Sequence, residues 1–136
     1  MHLFEWNEDL CLGVDVIDDE HKIFFKHFNT LYEAIQFGKA SSVLHSLFDE
    51  LVTYTVVHFE HEEEYMFTTH FPGFEEHKKA HEELRKTLMA FKERNEDHFS
   101  TALANELFAF MKKWLNTHVL GMDRALAEHL KKHGIH

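Results

Sequence analysis

The chain has 136 residues, 44% hydrophobic and 28% charged, which fits one ordinary domain with a sizeable core. Its formal net charge of −10 repels phosphate backbones and argues against nucleic acid as a partner. No apolar run approaches membrane-spanning length, Met1–Glu5 carry no signal-peptide pattern, and the single Cys11 cannot close an internal disulfide; a cytoplasmic protein with no membrane span is expected.

One Pro and five Gly favour long helices over a turn-rich β fold. Residues 1–17 show no clear period and read as an N-terminal arm pinned by Trp6. The first helix is predicted from Asp18, as its cap, to Phe37, with Gly38 as the stop and a stripe of Ile17, His21, Phe24, Phe28, Leu31 and Ile35. The second follows Ser41 and Ser42, which can cap it, and runs to about Phe67. Its apolar stripe of Leu44, Leu47, Leu51 and Tyr54 leads into His58 and Glu62, and Phe71–Pro72–Gly73 ends it. The third spans Phe74 to about Arg94 and carries Phe74, His77, His81, Leu84, Leu88 and Phe91 on one face. The fourth starts near Ser100 with Leu103, Leu107, Met111, Trp114 and His118; Gly121 interrupts it, and a short C-terminal helix runs from Asp123 to about Lys132. The expected fold is all-α, an antiparallel up-down-up-down four-helix bundle occupying 1–136 as one domain.

Histidine is over-used, at 14 residues, and five of these lie on the apolar stripes: His21, His58, His77, His81 and His118. Glu62 follows His58 by one turn. In an antiparallel bundle the starts of the first and third helices share an end with the finishes of the second and fourth. These six side chains therefore converge at one end of the interior. An unpartnered buried polar group costs about 1–3 kcal/mol, and imidazoles in a Phe-lined core cannot all satisfy one another. A bound metal would satisfy them, and the i, i+4 pairs His58/Glu62 and His77/His81 can each aim two donors at one locus. Asp123 is a seventh candidate. Five residues beyond His118, it would be turned about 140° off the face of a regular helix, so a break at Gly121 is expected to swing it back. His129 and His133 repeat the i, i+4 spacing beside Lys131 and Lys132 and read as a solvated decoy; His2, His27, His45, His61, His70, His98 and His136, with Glu60, Glu63 and Glu64, are expected on the surface.

Trp6, GVDVIDDEH (13–21), HFEHEEEYM (58–66), HKKAH (77–81) and WLNTHVLGMD (114–123) together resemble the hemerythrins, particularly the single-domain bacterial type, over nearly the whole chain. Glu20 departs from the Gln common in that family before the first His. The resemblance implies two iron ions with an oxo or hydroxo bridge. His77, His81 and His118 would hold one; His21 and His58 would hold the other; Glu62 and Asp123 would bridge them. It further implies an open position on the second iron, where O2 binds. Five neutral nitrogens against two carboxylates favour reversible O2 binding over onward oxidation chemistry. Phe24, Trp114, Leu115 and Val119, each within a turn of a candidate ligand, are expected to wall a dry O2 pocket, or simply to pack the core.

Oxygen carriage, storage or delivery to an O2-consuming oxidase is the first expectation, without enzymatic activity. An oxygen or redox sensor with a separate partner ranks second. A di-iron enzyme acting on O2, peroxide or nitric oxide ranks third, because no additional acid or base stands out. Cys11 has no assigned role.

Overall fold

Apolar steps of three and four residues become long helices in the structure, a computed structural model that describes Trp6 and residues 8–136. After a 3-10 turn at Glu8–Leu10, α1 spans Asp15–Gln36, α2 Ala40–Thr68, α3 Phe74–Asp97 and α4 Thr101–Trp114. A π-helical segment, Leu115–Met122, continues α4 directly into α5, Asp123–Lys132. The four long helices pack as an antiparallel up-down-up-down bundle, α1 against α2 and α4, and α3 against α2 and α4. No helix among the described residues is long and apolar enough to cross a membrane.

Helix ends follow local chemistry, with three departures from expectation. Gly38 sits at φ 67, and the amides of Gly38 and Lys39 donate back to Ile35 O and Ala34 O at 3.3 and 2.7 Å, which closes α1 as the left-handed glycine stop predicts. Asp18, however, lies inside α1 rather than capping it. Its carboxylate accepts from the amides of Leu12 and Gly13 at 2.8 and 3.2 Å, so it holds the arm against the helix. Ser41 and Ser42 are likewise inside α2, because the tight turn at Gly38 lets the helix begin at Ala40; Ser42 Oγ donates to Lys39 O. The third departure is at Gly121, which lies inside a continuous π-helical segment rather than at a helix end. Ser100 does cap α4, its hydroxyl accepting from Leu103 N at 3.0 Å. Trp6 stands edge-on to Phe25 at 5.5 Å and ties the arm to α1.

The core has two parts. The larger, including Phe24, Phe28, Leu47, Phe48, Leu51, Leu88, Leu107, Met111 and Trp114, fills most of the bundle. The smaller, Leu12, Val14, Ile17, Met66, Leu126, Ala127 and Leu130, joins the arm, the end of α2 and α5. Each fully buried Phe or Leu contributes roughly 1.5–3 kcal/mol. Between the two lies a polar layer. On α1 the order is Ile17, His21, Phe24; on α2 it is Phe59, Glu62, Met66; along the last helical stretch it is Trp114, His118, Asp123, Leu126. The polar end expected from sequence is thus an internal stratum, because the arm and α5 lay a second apolar cluster over it.

Replacing Ser100 with Ala removes the α4 cap and should lower stability by about 1 kcal/mol, read from urea unfolding of the metal-free protein, without altering metal content.

Candidate metal centre

All seven candidate donors are buried: His21, His58, His77, His81 and His118 at 2% exposure or less, Glu62 and Asp123 at 0%. α1 supplies His21, α2 supplies His58 and Glu62, α3 supplies His77 and His81, the π segment supplies His118, and α5 opens with Asp123. Their atoms form two overlapping groups. One unites Glu62, His77, His81, His118 and Asp123; the other unites His21, His58, Glu62 and Asp123. Within each group the potential ligand atoms lie within 4.8 Å of one another, and both carboxylates belong to both groups.

Asp123 reaches the layer by a route the sequence did not disclose. The helix does not break at Gly121. Instead Leu115–Met122 widens into π turns, in which Asp123 N–H donates to His118 O, five residues back. The wider turn cancels the rotation that would carry Asp123 off the face, and His118 Nε2 lies 3.2 Å from Asp123 Oδ1. A Cβ at Gly121 would meet only Asn116 O at 3.6 Å, an ordinary contact, so no steric demand for glycine arises there.

The donors crowd one another without pairing off. His21 Nε2 is 2.8 Å from Asp123 Oδ2, His77 Nε2 is 3.0 Å from Asp123 Oδ1, and His81 Nε2 is 2.9 Å from Glu62 Oε1 and 3.0 Å from His118 Nε2. His58 Nε2 approaches Glu62 Oε2 at 3.2 Å. Yet His58 Nε2, Glu62 Oε2 and Asp123 Oδ1 make no aligned hydrogen bond among the described residues, although all three are sealed from solvent. Lone pairs that converge on shared space and are left unsatisfied by their neighbours fit cations at their centres. A mixed imidazole and carboxylate set suits iron.

Carboxylates behind the rings fix two of them. His58 Nδ1 faces Glu20 Oε1 at 3.0 Å, and His61 Nδ1 faces Glu20 Oε2 at 2.9 Å. His81 Nδ1 faces Glu63 Oε2 at 2.9 Å. An ionised carboxylate only accepts, so each contact puts the proton on Nδ1 and turns the Nε2 lone pair inward. Sequence reasoning missed both. Glu63 is half-buried against His81 rather than fully on the surface, and Glu20, 8% exposed, holds His58. Phe59 was also missed; its ring stacks on His81 at 3.9 Å and 3°. His27 departs from its expected surface position too: it is buried, edge-on to Tyr54, with Glu50 at 3.4 Å. His129 is half-buried rather than solvated and bonds Thr69 O and Oγ1 at 3.1 Å, tying α5 to the end of α2. His2 lies outside the described residues. Phe24, Trp114, Leu115 and Val119 are all buried beside the layer, with Phe24 and Trp114 at 4.9 Å between ring centroids.

Electrostatics follow from this crowding. Burial pushes Glu62 and Asp123 upward, but the facing imidazoles outweigh it and hold both carboxyls well below the usual range. Burial lowers His58, His77 and His118, and the carboxylates more than reverse it; Asp123 lifts His118 to about 9. Burial prevails at His81, which stays low, and at Tyr54, whose hydroxyl is pushed upward.

Fold and donor layer together define a metal-binding four-helix bundle. The chain belongs to the hemerythrin family: residues 12–130 match the model of the hemerythrin HHE cation binding domain. It is similar to a bacteriohemerythrin of Stenotrophomonas maltophilia, 34% identical over 98% of this chain and 85% of the relative. A myohemerythrin of Riftia pachyptila is 30% identical over 88% of each chain. A crystal structure of a hemerythrin mutant shares the fold at TM-score 0.80, covering 96% of this chain and 98% of that one at 24% identity.

His77→Ala should abolish retention of metal, measured by elemental analysis after desalting. His129→Ala should keep its metal and lose about 1 kcal/mol of stability with the Thr69 bonds. In the metal-free protein, the stabilisation from His118 is complete below its ordinary 6.5 and fades as pH rises through about 9. Glu62 and Asp123 contribute in the opposite sense, lost only as pH falls into strong acid. The urea midpoint of the metal-free protein should therefore fall between pH 7 and pH 10, and the slope should vanish on metal loading, which requires the imidazoles to be unprotonated.

Proposed function

We propose that the chain binds O2 reversibly at a pair of iron ions and serves oxygen carriage, storage or delivery. The observation that carries this reading is the sharing of Glu62 and Asp123 between two donor groups, one with three imidazoles and one with two. In this reading His77, His81 and His118 would hold one iron and His21 and His58 the other, with Glu62 and Asp123, common to both donor groups, available to each. The group with two imidazoles offers one donor fewer and would leave room there for O2. The family relationship supports the same reading, since relatives over most of their length are bacteriohemerythrins and a myohemerythrin.

When bound, the iron pair supplies the electrons that hold O2 and recovers them on release. The residues of this chain do the rest. Glu20 and Glu63 keep the His58 and His81 rings in one tautomer and one orientation. Phe24, Trp114, Leu115 and Val119, all buried, would form a wall that excludes water from the ligand side of the layer. The apolar cluster of the arm and α5 seals the opposite side. Five imidazoles to two carboxylates keep the reduced metal pair accessible, which favours a carrier over an oxidase.

Two irons per chain are expected by elemental analysis. The reduced protein should gain a visible absorption band in air and lose it under vacuum over repeated cycles. Zinc in place of iron, or a band that bleaches once while a substrate turns over, overturns the reading.

A further inference from the structure

Tyr54 looks like one more apolar residue in the stripe of α2. Its ring behaves that way: it packs against Phe24 at 6.2 Å and Trp114 at 6.5 Å, both in the wall beside the metal layer. One turn on, it lies nearly parallel to the His58 ring, at 5.2 Å and 17°. The hydroxyl is different. It is sealed from solvent, has no hydrogen-bond partner among the described residues, and lies within electrostatic reach of His58, Asp123, Glu62 and Glu20. A buried phenol keeps its proton at neutral pH, so it is a donor with nothing to donate to. Tyrosine hydroxyls buried in cores normally find an acceptor, and phenylalanine would fill this space without the penalty of an orphan.

We infer that the Tyr54 hydroxyl is the hydrogen-bond donor to the small exogenous ligand held at the His21/His58 side of the layer. That ligand is O2 in the reduced protein and a small inorganic anion in the oxidised one. The inference rests on the iron reading above and deepens it: Tyr54 becomes the one polar group in an otherwise apolar ligand wall, and it discriminates ligands that can accept a hydrogen bond from those that cannot. The negative charge that develops on bound oxygen strengthens such a bond, which therefore slows ligand departure more than it alters entry. Tyr54 is a positioning residue for the ligand and need not touch a metal.

The test is Tyr54→Phe, which keeps the ring and deletes the hydroxyl. Three quantities are read on iron-loaded and metal-free protein. In the oxidised, iron-loaded protein, the variant should bind azide about tenfold more weakly. In the reduced protein, O2 should dissociate about tenfold faster, with iron content still two per chain. In the metal-free protein, the melting temperature should be unchanged or raised, because no protein hydrogen bond is lost. Unchanged azide affinity and O2 release overturn the inference, since the hydroxyl then serves only a buried water. A lowered melting temperature of the metal-free variant also overturns it, by revealing a partner within the protein. Azide binding tests Tyr54 even if the wild type fails to bind O2 reversibly; that failure would sink the carrier reading alone.

Discussion

Two carboxylates and five imidazoles, packed between two apolar clusters, cannot satisfy one another. Geometry allows each carboxylate to face three ring nitrogens at 2.8–3.2 Å, but not to align with all of them. Several lone pairs remain aimed at common space. At about 1–3 kcal/mol for each unpaired group, the layer would weigh heavily on a bundle of this size. Cations at the centres of the two donor groups would remove the difficulty by accepting these lone pairs. The surrounding structure can be understood as whatever is needed to hold that layer in place: large aromatic side chains on one side, an apolar cover on the other, and carboxylates behind the rings.

The π segment shows how one backbone adjustment serves this constraint. His118 and Asp123 must both reach the layer from one continuous stretch of chain. A regular helix would turn them apart, and a broken helix would leave carbonyls to be satisfied elsewhere. Widening the turn preserves hydrogen bonding along the backbone while rotating Asp123 into place. Such a segment is less regular than an α-helix and persists where contacts on both sides of it are strong. Here these are the Met111 and Trp114 packing before it and the Leu126 and Leu130 packing after it.

Much of this was legible in the sequence because it depends on period and position. Apolar spacing gave the four long helices, and the antiparallel order alone brought six of the seven donors to one level. What stayed hidden depends on departures from the regular period or on neighbours in other helices. The π turn leaves no apolar signature, so the displacement of Asp123 looked like a break at Gly121. Glu20 and Glu63 sit on α1 and α2 amid runs of acidic residues that normally face water, and only the positions of His58 and His81 across the bundle show what they do. Tyr54 was hidden by the opposite bias. Its ring belongs to the apolar stripe, and only the absence of a partner for its oxygen sets it apart. The capping serines at the start of α2 failed because a glycine turn before them had already fixed where the helix begins.

Asp123 is at once a member of the donor layer and the first residue of α5, and α5 forms much of the cover over that layer. With Asp123 as a ligand, as proposed, metal occupancy would be linked to docking of the C-terminal segment. A metal-filled layer would clasp the segment, and an emptied one would loosen it. Amide exchange along Leu126–Leu130 thus becomes a gauge of loading, and a partner that pried this segment loose would also be a partner that strips the metal.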